Sequence, residues 1–395
     1  MSGASSRTWP ATCWPRSATS CEVVVGLRIG IVSKWFPSGQ GVVSRHLRSA
    51  LDQLGHETFI LARPGRGPRA ARQKSGSERR DPVWEASGVS QASAHEISAG
   101  EYLDWAAELG LDLVFCDENY QFDHLAGLRA AGILTVGRFV WESFAPADVD
   151  GARRAYDVIY SLTRCEQQRY EELGIESPYL RWGIHPELLG AGDPRPEDGL
   201  VRYFFACSFL GPRRPMREVL KAFRRVGGDH FRLRISAQLP RRAEQLQRAA
   251  ARDPRIELLL EELPTAEYLA AFAASDVCLA PSRWEGLGVP LFEATALGLP
   301  IITNDAPPMN EIVTDGRNGL LVESRPSGTA KSGIDSHDPA VDSLAAAIER
   351  IADPEQRASL AAGSRAVREE RSWDRTVADF ERLLEGLASG SVLRE

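Results

Sequence analysis

No stretch of the 395 residues approaches the ~20 consecutive apolar residues that a bilayer-spanning helix needs, so an integral membrane protein is excluded as a first reading. Cysteine is scarce: Cys13, Cys21, Cys116, Cys165, Cys207 and Cys278 form no C-x-x-C pair and meet no histidine cluster at zinc spacing. That pattern excludes a disulfide scaffold and fits a reduced, cytoplasmic protein. Lysine occurs only at positions 34, 74, 221 and 331, arginine supplying the other basic groups, a bias from which no function follows. Excess positive charge is lacking too: the formal net charge is −7, and nucleic acid is not an expected partner. Also missing are the phosphate loop G-x4-G-K-[ST], the metalloprotease H-E-x-x-H, the hydrolase elbow G-x-S-x-G and a G-x-G-x-x-G after a strand. Asp148-Val-Asp150 matches a metal-binding D-x-D, but it precedes a helix and is more simply a cap, so neither a metal nor another cofactor is expected.

What remains is an ordinary globular mix, 43% apolar and 26% charged, long enough for two or three domains. Residues 1–26 carry Ser, Thr, Pro and two Trp without periodicity and without a signal-peptide core, and read as a disordered N-terminal tail. From Leu27 the pattern sharpens. Leu27–Ser33 predicts a strand, Val43, Leu47, Ala50, Leu51 and Leu54 a helix, and Glu57–Leu61 a second strand, a βαβ unit. Arg63 to Pro82, rich in Arg, Gly, Pro and Ser, predicts a mobile, solvated basic loop. Strands at Leu111–Cys116, Ile133–Gly137 and Val158–Ser161 alternate with helices, and Pro186–Gly199 reads as a linker. A second series then begins, with strands at Val201–Ala206, Phe231–Ser236, Arg255–Leu260, Asp276–Ala280 and Pro300–Thr303, and a last one at Asn318–Val322. Long helices from Ala340 to Leu387 finish the chain. The expected fold class is α/β, two doubly wound parallel-sheet domains facing an interdomain cleft.

The strongest local signal runs from Asp276 to Val322. Glu285 falls in a turn after a strand, and Glu293 lies eight positions on, in the first turns of a helix opened by Pro290. Gly286 and Gly288 strip side chains from that turn, so the backbone N–H groups around Leu287–Leu291, those of Leu287 and Val289 among them, can approach an anion, helped by the positive helix end. A diphosphate suits that geometry, and an adjacent glutamate can accept the two hydroxyl hydrogen bonds that a ribose diol or a sugar ring offers. Arg213 and Arg214 follow a strand and precede Pro215 at a helix start, where a pair of cations could neutralise a departing diphosphate.

On Glu285, Glu293 and the following Glu311-Ile-Val313 and Asn318-Gly-Leu-Leu-Val322, the sequence resembles the retaining glycosyltransferases of family 4, with their E-x7-E motif. The resemblance implies the two-domain GT-B fold and covers Leu27 to Leu387. Residues 27–185 would form the acceptor-binding domain, 200–369 the nucleotide-sugar domain, and 370–395 a helix crossing back from around Trp373. It further implies that Glu285 contacts the donor sugar and Glu293 the nucleotide ribose. Arg214 falls where the family has a lysine, while Ser208 and Phe209 replace its glycine and arginine. Gly39 and Gly41, in Ser38-Gly-Gln-Gly41, match the family's glycine-rich loop near the donor, and Arg181-Trp-Gly-Ile-His185 lines up with its "NG.D" segment.

Where the family often has a histidine after the strand Ile133–Gly137, this chain offers Arg138, Trp141 and Glu142. Glu142 is the chemical choice, a carboxylate at a strand tip able to orient a hydroxyl or accept its proton, against the alternative of a solvated loop side chain. Asp117, Glu118 and Asn119 follow another strand and are expected on the acceptor side with Arg138 and Trp141. The reaction so implied is metal-independent transfer from a nucleoside-diphosphate sugar to a hydroxyl on a saccharide, lipid or natural product. The setting would be the cytoplasm, with peripheral membrane contact left open. Two alternatives stand: a nucleotide-sugar epimerase on the same fold, which would turn over without acceptor, and a non-catalytic sugar-nucleotide-binding protein.

Overall fold

The computed structural model describes residues 26–66, 81–190, 198–208, 211–238 and 243–389. Apolar runs each long enough for one strand build two six-stranded sheets. The first comprises β1 (Arg28–Lys34), β2 (Glu57–Arg63), β3 (Val89–Gln91), β4 (Leu113–Asp117), β5 (Leu134–Arg138) and β6 (Val158–Ile159), in the order β3-β2-β1-β4-β5-β6 with every pairing parallel. The second comprises β7 (Val201–Ser208), β8 (Phe231–Ala237), β9 (Ile256–Leu259), β10 (Val277–Leu279), β11 (Ile301–Asn304) and β12 (Gly319–Val322), ordered β12-β11-β10-β7-β8-β9 and again all parallel.

Strands β4 and β10 are buried along their whole length, as strands covered by helices on both faces must be, which is why they read as unbroken apolar runs. Strand order reverses between β1 and β4 in one sheet and between β7 and β10 in the other. In doubly wound sheets the loops after the strands at such a reversal form a crevice, so each domain supplies one wall of a cleft.

Several elements escape the sequence pattern, strand β3 among them. Helix Ala99–Leu109 is capped by Ser98, whose hydroxyl accepts from the Glu101 amide at 3.1 Å, and is stopped by Gly110 at φ 56°. Strand β12 is not the last. β13 (Ser324–Thr329) and β14 (Asp335–Pro339) follow as an antiparallel hairpin outside both sheets, largely solvent-facing on β13, so no core imposes alternation on a sequence that reads as loop. Arg63, expected in a solvated loop, is the buried last residue of β2 and donates through Nε to the His95 carbonyl at 3.0 Å. Of that expected loop, residues 67–80 lie outside the described residues, as do 191–197 of the expected linker and all of the expected tail before Gly26.

The C-terminal run divides into helices Val341–Ile351, Pro354–Glu370 and Trp373–Ser389. The last packs on the first domain. Phe380 meets Phe115 and Tyr160 edge-on at 6.1 and 5.8 Å between ring centres, Arg181 grips Asp379 through two bonds of 2.8 and 2.6 Å, and the Gly183 amide donates to Thr376 Oγ1 at 2.8 Å. Among the described residues no helix is long and apolar enough to cross a membrane.

Candidate active site

Strand β7 ends at Ser208, whose φ of 43° is a left-handed conformation that glycine adopts without strain. The loop beyond it carries Arg213 and Arg214 to the cleft, pinned where the Arg283 amide donates to the Arg213 carbonyl at 2.9 Å. Arg214 is buried, and its Nη1 pairs with both Ser282 Oγ and Glu285 Oε1. Ser282 Oγ donates to that same Oε1 at 2.8 Å. Arg213 reaches the other oxygen, Glu285 Oε2, through Nη1 at 3.1 Å, and its Nη2 pairs with Glu142 of the first domain. One arginine thus ties the two walls of the cleft together. Burial pushes the Glu285 carboxyl upward, but Arg214 and Arg213 outweigh it and hold it below the usual carboxylate range.

The turn after Glu285 is shaped by its glycines. A side chain on Gly286 would lie 2.5 Å from Val140 Cγ1, so that residue permits the close approach of the two domains. Gly288, at φ 81°, is the N-cap of helix Val289–Ala296, with Pro290 in the first turn. The amides of Gly286, Leu287, Gly288 and Val289 donate to no acceptor among the described residues. Four donors unpaired among the described residues thus stand at a positive helix end beside two guanidinium groups, an arrangement chemically suited to an anion. Trp141 braces it from the first domain, its Nε1 donating to the Glu285 carbonyl at 2.6 Å.

Glu293 projects from the same helix into a separate environment, where Tyr268 OH donates to its Oε2 at 2.9 Å. Burial raises its carboxyl to about 7, despite the lowering by that bond. A raised folded-state value means that the group favours folding at low pH and that this contribution is lost as pH climbs from the ordinary carboxylate range through 7. Glu293→Gln, neutral throughout, is therefore expected to melt close to the parent near pH 5 and above it near pH 8. A melting-temperature difference independent of pH contradicts the assignment.

On the first domain, Gly39 lies exposed at the start of helix Gly39–Gln53, its Cβ position 4.0 Å from Val289 Cγ2 across the cleft. Gly41 faces its own chain: a Cβ there would meet the Phe36 carbonyl at 2.3 Å, so this glycine serves the turn. Glu142 is buried, paired through Oε1 with Arg213, while its Oε2 has no partner among the described residues. Burial raises its carboxyl, Arg213 opposing. It is not a solvated loop side chain. Glu118, at φ 53°, turns its carboxylate onto the Val140 amide, and burial with repulsion from Asp117 raises it to about 8.

The neighbouring expected residues are committed internally. Arg138 is buried between Glu166 (3.0 Å) and Asp117 (3.3 Å), and Asn119 between Tyr102 OH (2.9 Å) and the Gln121 amide (3.1 Å), so both are committed to the interior of the first domain. Asp148, read as a cap, accepts from the Ala145 amide at 2.8 Å.

Sequence reasoning reads Glu311 only as part of a motif and misses its role, which is to join the domains behind the site. Glu311, on helix Met309–Ile312 of the second domain, accepts from the Arg164 and Cys165 amides at 2.7 and 2.8 Å, closing the N-terminal turn of helix Arg164–Glu172 of the first. Only the fold brings these positions together. Nearby, His46, His185 and Glu187 form a cluster of three groups able to ligate a metal among the described residues. The two rings are stacked at 4.0 Å with 9° between planes, so their in-plane nitrogen lone pairs cannot converge on one ion, and His46 Nε2 is already bonded to Glu187 at 2.6 Å.

A family model described as "Glycosyl transferases group 1" matches residues 202–354. The D-inositol 3-phosphate glycosyltransferase of Thermomonospora curvata is 36% identical over 149 residues, 36% of this chain and 30% of that protein. The chain spans less than a third of the length of the first curated relatives it matches. The fold of sucrose-phosphate synthase from Thermosynechococcus elongatus superposes with a TM-score of 0.71 at 15% identity, over 92% of this chain and all of that one. Anabaena HepE, solved in complex with UDP and glucose, gives 0.66 at 16% identity over the same shares. The glutamate pair, the glycine turn and all of the second sheet but Val201 lie in the segment similar to group 1 glycosyl transferases, and the two-domain α/β fold is the GT-B fold of the structures it superposes on.

Proposed function

We propose that this protein transfers a glycosyl group from a nucleoside-diphosphate sugar to a hydroxyl acceptor, with retention at the anomeric carbon and without a metal ion. The observation that carries the reading is Glu285 held between Arg213 and Arg214 beside four unpaired amides at a helix start. When the donor enters, its diphosphate takes the guanidinium groups and the amides of Gly286, Leu287, Gly288 and Val289, and Glu285 is released toward the sugar hydroxyls. Glu293 takes the ribose hydroxyls, exchanging its bond from Tyr268. The bond between the anomeric carbon and the diphosphate oxygen breaks, the acceptor oxygen bonds on the same face, and the acceptor proton passes to the leaving diphosphate. Arg213 and Arg214 supply the positive charge that a metal supplies elsewhere.

Glu142 and Glu118 would face the acceptor, with Asp117, Asn119 and Arg138 holding their wall and Trp141 fixing the donor turn against it. That HepE was solved with UDP and glucose supports a UDP-sugar donor. The buried thiols of Cys116, Cys165, Cys207 and Cys278, in no disulfide among the described residues, accord with a cytoplasmic setting.

Nucleotide-dependent melting tests this. UDP, GDP, ADP or dTDP at about one hundred times its dissociation constant should stabilise the protein by ~2.7 kcal/mol, and the corresponding monophosphate at the same concentration by less. No stabilisation by any of the four would contradict the proposal.

A further inference from the structure

The hairpin β13–β14 belongs to the second domain, yet its tip docks on the first. The Ser332 amide donates to the Glu142 carbonyl at 3.1 Å, Arg169 donates to the Ser332 carbonyl at 3.1 Å, and the Lys331 ammonium lies 5.6 Å from the Tyr120 ring centre. The base of the hairpin is fixed to the donor side, since the His337 amide donates to the Arg283 carbonyl at 3.0 Å and Asn304 Nδ2 bridges the Ser282 and His337 carbonyls at 2.9 Å each. A polar segment with no hydrophobic face therefore spans the cleft beside Glu142.

Around its tip, three side-chain oxygens are buried and have no hydrogen-bond partner among the described residues: Tyr120 OH, Ser332 Oγ and Glu142 Oε2. Buried hydroxyls and carboxylate oxygens are nearly always satisfied in folded proteins, so several unpaired ones in one patch point to a missing partner. Two can both donate and accept, and the third accepts. Their common complement is a compound with several hydroxyls in a small volume. A long-chain alcohol would leave them unpaired, and a cover made by a polar hairpin offers its tail no apolar channel.

Resting on the glycosyl-transfer reading above, we infer that the β13–β14 hairpin completes the acceptor site, and that Tyr120 and Ser332 bind a compact polyhydroxy acceptor, a sugar or cyclitol, through their hydroxyls. The second domain would then select the acceptor as well as the donor. Tyr120 is suited to this, its ring being fixed against Phe139 and Phe122 at 4.9 and 5.9 Å while its hydroxyl stays uncommitted among the described residues.

The test uses the full chain saturated with whichever nucleoside diphosphate stabilises it best. Saturation-transfer NMR is recorded with glucose, glucose 6-phosphate, myo-inositol, myo-inositol 1-phosphate and n-decanol. At least one of the four polyols should bind, decanol should not, and Tyr120→Phe and Ser332→Ala should each weaken the polyol by about fivefold. Nucleotide affinity should stay within about twofold, since neither residue touches the donor turn. Binding of decanol alone, no polyol binding, or polyol affinity unmoved by both substitutions overturns the inference while leaving nucleotide binding intact. Failure of every nucleoside diphosphate to bind instead removes the glycosyl-transfer reading, and this one with it.

Discussion

Glu285→Ala is expected to lower sugar transfer by about a thousandfold or more while leaving affinity for the nucleoside diphosphate unchanged or raised. The asymmetry follows from what Glu285 holds. Its two carboxylate oxygens engage Arg213 and Arg214, so its removal frees both guanidinium groups for the diphosphate and removes the acceptor of the sugar's hydroxyls. Parallel losses of turnover and diphosphate affinity would show that the glutamate merely positions the arginines. Transfer kept within tenfold of the parent would remove Glu285 from the chemistry. Steady-state kinetics and calorimetric titration on the same preparation separate these outcomes.

Arg214→Ala is expected to weaken nucleoside-diphosphate binding by about 2–3 kcal/mol, some 30- to 150-fold, with a much smaller effect on the monophosphate. The same change leaves the buried Glu285 with only Arg213 and Ser282, a loss of one partner from a buried ion pair, so melting should fall as well. Arg214→Lys, which restores the charge but not the planar fork, should recover the fold and part of the affinity. Equal loss of mono- and diphosphate binding in the lysine variant would place Arg214 away from the terminal phosphate.

The glutamate pair and its turn were legible because their signals are local. Gly286, Gly288 and Pro290 each act within a few residues, and the helix they open begins at Val289. The unbroken apolar strands were equally legible, since burial on both faces leaves a composition that no distant partner is needed to interpret. The bridge from Arg213 to Glu142 was not, because it joins positions 71 residues apart through the closure of two domains. Glu311 capping a helix 146 residues upstream is invisible for the same reason. Asn119 and Arg138, read as acceptor contacts from their place after strands, were committed to interior partners that no spacing rule reveals. The β13–β14 hairpin lacked any hydrophobic pattern because most of its contacts are polar, although Ser98 with Glu101 before helix Ala99–Leu109 was a capping signal that could have been read.

Whether the Arg213–Glu285–Arg214 cluster opens to receive a donor is best decided by a crystal structure with a nucleoside-diphosphate 2-fluoro-sugar. The account predicts phosphate oxygens within hydrogen-bond reach of Arg214 and the amides of residues 286–289, with Glu285 turned onto the sugar hydroxyls. A ligand seated elsewhere, or one bound while Glu285 keeps both arginines, would contradict it.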